Sequence, residues 1–193
     1  MTKKETRKAA KQSILDGKTK QETFEILKET SKLSTEDVAK IIQSIPSLSA
    51  RQKYKTQNTI LIVFLSLTIL LKMLLGIPFI MQNGIKWLPM IFILPIINVL
   101  LLWGVATYST GIHKLVAIFT IIGLLRSLPD MIGVPFEPLT FIAFFIDIAI
   151  AAGLIGLGFY LNSKLFSNYL TVKERYQNSQ GQDRLRNVIK FED

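Results

Sequence analysis

Residues 139–161 read LTFIAFFIDIAIAAGLIGLGFYL, an apolar run broken by a single charge, Asp147. At about 1.5 Å of rise per residue, a helix of that length crosses a hydrocarbon core of roughly 30 Å. Residues 59–77, 87–108 and 112–128 have the same character, the last only just long enough. The pattern predicts an all-α fold, a polytopic bundle of four transmembrane helices, with a small helical domain before it.

The charge sits outside these runs. Residues 1–57 hold 13 Lys and Arg against 7 Asp and Glu, and residues 164–193 hold 6 against 4. Between them lie only Lys72, Lys86, Lys114, Arg126, Asp130, Glu137 and Asp147, so the net +9 comes mainly from the flanks. A basic balance beside apolar spans reflects retention of Lys and Arg on the cytoplasmic side, where anionic lipid also attracts them. Arg51, Lys53, Lys55, Lys114, Lys164, Lys173 and Arg175 border one side, against Lys86 and Arg126 on the other. Both termini are therefore expected in the cytoplasm, at the inner membrane if the source is bacterial. Trp87, Trp103, Tyr108 and Tyr160 fall near span ends, where amphipathic rings prefer the headgroups. The first span is expected to act as its own insertion signal, because mostly polar residues precede it.

The division read from these features is 1–48 as a cytoplasmic three-helix domain, 49–163 as the membrane domain and 164–193 as a cytoplasmic tail. Asp16-Gly17 closes a first helix, and Thr19 with Glu22 opens a second as a capping box. Ser34 with Asp37 opens a third, which Pro46 stops. Val38, Ile41, Ile42 and Ile45 recur at helical spacing on the third helix, and Phe24 and Leu27 give the second an apolar edge. These six form either the domain core or a face for a partner. From Ser49 the chain is expected to run as one helix into the first span. Such a basic three-helix unit invites comparison with DNA-binding helix-turn-helix domains, but Glu36 and Asp37 open the helix that would read bases. No nucleic acid is expected.

Within the spans Lys72, Arg126 and Asp147 form a candidate charged cluster in the outer half of the membrane. Charges at that depth pair, snorkel or face water. The first expectation is an ion pair from Asp147 to Lys72 or Arg126; the second is a carboxylate handling protons or cations in a pathway. Pro95 predicts a kink in the second span beside Asn98, since proline lacks an amide donor. Ala149, Ala152, Gly153 and Gly156 give the fourth span a close-packing face for another helix, inside the chain or in a second copy. The apolar, proline-rich segment 127–138 is expected at the membrane interface, and Asp130 and Glu137 within it are a weak pair for a cation.

Cysteine is absent, which excludes disulfides and thiolate chemistry. His113, the one histidine, reads as a solvent-facing residue in a tight turn. Nucleophile elbows, zinc-binding helices and phosphate-cradling glycine loops are missing, so neither catalysis nor a metal or cofactor is expected. In the tail, residues 165–178 are expected to prolong the fourth helix, and the last ten to lie as a strand or short helix against the N-terminal domain. The functional expectation is a non-catalytic membrane protein, an interaction or assembly component whose partners are the bilayer and a protein or a second copy. A small transporter or channel subunit using Asp147 is the alternative, and a membrane enzyme comes third.

Overall fold

The structure, a computed structural model, describes residues 1–84, 88–93, 95–131, 138–166, 168–177 and 183–191. It divides into two compact units. One joins Met1–Lys53 to Ser163–Asp193, and the other is Tyr54–Asn162. The chain is mostly helical, but it is not all-α: a two-stranded antiparallel sheet is built from the C-terminal segment.

In the first unit, α1 (Lys3–Leu15) and α2 (Lys20–Thr30) both open with complete capping boxes, Thr2 with Glu5 and Thr19 with Glu22. Each glutamate accepts the cap residue's backbone N–H, which stabilises its charged form and lowers its pKa. Helix α3 (Thr35–Gln43) has only half of that arrangement. The Ser34 hydroxyl accepts the Asp37 N–H at 3.2 Å and donates to the Asp37 carboxylate at 2.7 Å. Aspartate, one methylene shorter than glutamate, is satisfied by the hydroxyl instead of reaching back to the cap amide.

Strands β1 (Tyr169–Gln177) and β2 (Asp183–Phe191) pair with Tyr169 opposite Phe191 and Thr171 opposite Ile189. The expected helical extension through 165–178 is therefore wrong, and the expected strand against the N-terminal domain is present. Ile189 is buried with Ala10, Ile14, Phe24, Leu27, Val38, Ala39, Ile41, Ile42 and Ile45 in one core, edged by Tyr169 and Phe191. The Phe191 ring lies 5.7 Å from that of Phe24 and 6.0 Å from that of Tyr169, a tilted aromatic trio. Gln21 acts on the strand as a further backbone would. Its amide donates to the Ile189 carbonyl at 3.4 Å and accepts the Phe191 N–H at 3.1 Å.

Helix α4 (Leu48–Lys53) ends one residue before α5 (Lys55–Asn83). Tyr54 between them has φ −105° and ψ 16°, so the continuous helix expected from Ser49 is broken there.

In the second unit, α5 is followed by α6 (Leu88–Ile93), α7 (Ile96–Ala106), α8 (Ile112–Met131) and α9 (Pro138–Leu165). Among the described residues the second apolar run comprises two helical pieces, on either side of residue 94 and Pro95. Pro95 caps the second piece, its carbonyl accepting the Val99 N–H at 2.9 Å while it has no N–H of its own to continue the first. Two stretches, Lys55–Leu74 and Phe144–Leu165, are long and apolar enough to cross a membrane by length and composition. Only 17% and 28% of them is buried within the protein, unlike the core helix of a water-soluble fold. Large apolar side chains such as Val63, Leu70, Leu100, Trp103, Ile122, Leu125 and Phe145 face outward on all four long elements.

Candidate functional site

The polar side chains of the second unit gather at two levels about fourteen helical residues, roughly 20 Å, apart along α5. At the first level Asn58, in the opening turns of α5, faces His113 in the first turn of α8, with Asn58 Oδ1 2.8 Å from His113 Nε2. Both side chains are buried. Asn58 Nδ2 also donates to the Val105 carbonyl at 3.4 Å, near the end of α7, where the Tyr108 N–H reaches the same oxygen at 3.1 Å. Since Oδ1 carries no hydrogen, Nε2 is the donor, and the imidazole is held as the tautomer protonated there. The solvent-facing reading of His113 is overturned: its ring is fully buried.

The connection between α7 and α8 presents this histidine. Tyr108 takes a positive φ of 53°, a conformation that costs a non-glycine residue energy, and Gly111 follows at φ 73°. The Ser109 N–H closes the turn on the Gly104 carbonyl at 2.8 Å. The Tyr108 ring then sits 6.4 Å from the imidazole. From the other side α9 approaches so closely that a Cβ on Gly158 would fall 2.7 Å from the His113 carbonyl oxygen. Tyr160 on α9 stacks edge-on with Tyr54 at 5.9 Å. All four long elements meet at this level.

At the second level Lys72 Nζ donates to Asn98 Oδ1 at 3.3 Å, joining α5 to α7. Asp147 acts electrostatically on Lys72, yet among the described residues it forms no ion pair with Lys72 or with Arg126. The expected three-member charged cluster is not assembled as ion pairs: Lys72 is held by an amide, and Arg126 and Asp147 are exposed. The sequence singles out Asn98 as a polar residue inside a span, but not as the partner of Lys72. Removing both ends of this contact tests it. Lys72→Met and Asn98→Leu should be non-additive in thermal unfolding by about 0.5–1.5 kcal/mol, whereas Asp147→Asn should add independently to Asn98→Leu.

The proposed close-packing face of α9 is split. A Cβ on Gly153 would meet the Phe64 ring of α5 at 2.4 Å, whereas Gly156 has open space around it and Ala149 and Ala152 are exposed. Gly158, which follows that small-residue stripe, makes the tightest backbone approach. Residues 132–137, including Glu137, and the side chain of Asp130 lie outside the described residues. Among those described, no group of three His, Asp or Glu side chains converges as metal ligands would.

In the first unit the six apolar residues assigned to its helices all lie in the core and are withdrawn from the surface. The exposed surface is instead basic. Comparison with family models, curated proteins and solved structures finds no match to this chain.

Proposed function

We propose that this chain is a four-span membrane protein that works without catalysis, as an interaction or assembly component presenting a folded domain at the cytoplasmic face. The observation that carries the reading is the shared core of the two terminal segments. Ile189 from the last strand packs among residues of α1, α2 and α3, so both ends of the apolar region belong on one side of a membrane. An even number of crossings follows.

The pairings inside the apolar unit support four crossings over two. Asn58 with Val105 and Lys72 with Asn98 run α5 antiparallel to α7. Asn58 with His113 brings the starts of α5 and α8 together, so these two run in the same direction. Gly153 against Phe64 and Gly158 against His113 run α9 opposite to both. That is the up-down-up-down order of a four-helix bundle with short connections. Outward-facing apolar side chains on each element are then solvated by lipid.

Labelling of single introduced cysteines tests the topology, since the chain has none of its own. Residues 18, 112 and 180 should react only after the membrane is opened, and residues 83 and 133 in intact cells. Reaction of residue 18 from outside overturns the arrangement. For the interaction role, native mass spectrometry of gently solubilised protein should show a stoichiometric partner or a second copy, lost when the domain core is disrupted. A persistent monomer without partner removes this reading.

The alternative, a small transporter or channel subunit, draws on the exposed Asp147 with the Lys72–Asn98 contact. It requires solute flux through purified protein in liposomes, abolished by Asp147→Asn.

A further inference from the structure

A cleft of about 510 Å³ lies between the start of α1 and the length of α3. Helix α1 contributes Lys3, Lys4 and Arg7; α3 contributes Asp37, Lys40 and Ile41 and its C-cap Ser44, one face at i, i+3, i+4 and i+7 spacing. The two faces meet because Thr6, Ala10 and Ile14 on α1 and Val38, Ala39 and Ile42 on α3 are buried beside them.

Four cations and one acid, all solvent-exposed, therefore line one open cleft. Among the described residues, Lys3, Lys4, Arg7 and Lys40 have no carboxylate within ion-pair distance. Asp37 shares the cleft but is engaged by the Ser34 hydroxyl. An ordinary solvated basic face belongs to one helix and spreads its charges outward. Here two helices line one open cleft with their cations, and its volume is far larger than one phosphate group needs. The remaining lining has a chemistry of its own. The Asp37 carboxylate accepts hydrogen bonds, and the Ser44 hydroxyl, which donates to the Ile41 carbonyl at 2.6 Å, lines the same cleft. Ile41 adds an apolar wall.

We propose that this cleft binds a phosphorylated polyol, its phosphate held by Lys3, Lys4, Arg7 and Lys40 and its hydroxyls by Asp37 and Ser44. Charge-assisted bonds to phosphate are the strong contacts, and acceptors for hydroxyls distinguish such a ligand from inorganic phosphate. The same chemistry is offered by a free ester and by a lipid headgroup. The assignment stands on the cleft alone; only its lipid arm rests on the membrane placement proposed above.

Lysine acylation of the full chain, read by mass spectrometry, tests it with Lys8, Lys11 and Lys18 as internal controls. In neutral detergent, glycerol 3-phosphate should slow acylation of Lys3, Lys4 and Lys40 by about tenfold while the three controls change little. If only nanodiscs containing phosphatidylglycerol, compared with phosphatidylcholine alone, give this protection, the ligand is the headgroup. The triple variant Lys3→Gln, Arg7→Gln, Lys40→Gln should weaken binding about tenfold or more, and the charge-matched Lys8→Gln, Lys11→Gln, Lys18→Gln variant much less. Asp37→Asn should reduce the preference for glycerol 3-phosphate over inorganic phosphate. Absence of protection in both arms, or equal protection of all six lysines, overturns the proposal.

Discussion

Ile42→Ala is expected to destabilise the helix-and-hairpin unit strongly while leaving the apolar helices inserted. Ile42 is fully buried at the centre of the core shared by α1, α2, α3 and β2. Truncating such a side chain costs about 2–5 kcal/mol, the lost transfer energy plus the cavity left behind. A unit this small holds only about 5–10 kcal/mol of stability, so the loss removes much of its margin. The apolar helices satisfy their backbone hydrogen bonds internally and do not depend on it. Amide hydrogen exchange in α2, α3 and β2 should accelerate together by roughly thirtyfold or more, at about 1.4 kcal/mol per tenfold, while α5 and α9 retain their protection. Acceleration in α3 alone would show that the hairpin is not part of the same cooperative unit. The double change of Ile41→Ser with Ile45→Ser should act in the same direction and at least as strongly, since both residues belong to that core and serine adds a polar group to it.

This unit also shows where local pattern runs out. The Thr19–Glu22 capping box and the spacing of Val38, Ile41, Ile42 and Ile45 lie within a few residues of one another, so the sequence carries them openly. The hairpin is different. Residues 169–177 read YLTVKERYQ, short on apolar content and mostly exposed, and their order depends on Gln21 and Phe24, which lie far away in sequence. Nothing local marks that dependence. In the apolar unit, the run lengths are legible because a bilayer sets them. The partners are not: Lys72 calls for an acid by charge alone, yet geometry supplies the Asn98 amide. His113 follows a turn containing Gly111, which reads as solvent, and is buried because α9 brings Gly158 against it. Of the two signals that point there, one is Asn58 interrupting the start of an apolar run, and the other is a glycine one turn before the end of the fourth.

The glycines of α9 turn that packing into a graded expectation. At Gly156 nothing lies within van der Waals reach of an added Cβ, so Gly156→Ala should be neutral or stabilising by up to about 1 kcal/mol, the helix propensity gained. At Gly153 the methyl meets the Phe64 ring, a side chain that can move, and Gly153→Ala should cost part of that gain or reverse it. At Gly158 it meets the His113 carbonyl oxygen at 2.7 Å and Ala117 at 3.2 Å, and backbone cannot step aside cheaply. Overpacking of this kind costs about 1–3 kcal/mol. Gly158→Ala should therefore lower the thermal midpoint in detergent most. It should also loosen the Asn58–His113 contact, so that Asn58→Ala costs less in the Gly158→Ala background than alone. The order of the three variants separates a bundle closed within one chain from α9 packing on a second copy. If Gly156→Ala is the most damaging, the open face of α9 is covered by another helix, and the small residues Ala149, Ala152 and Gly156 mark a contact between copies.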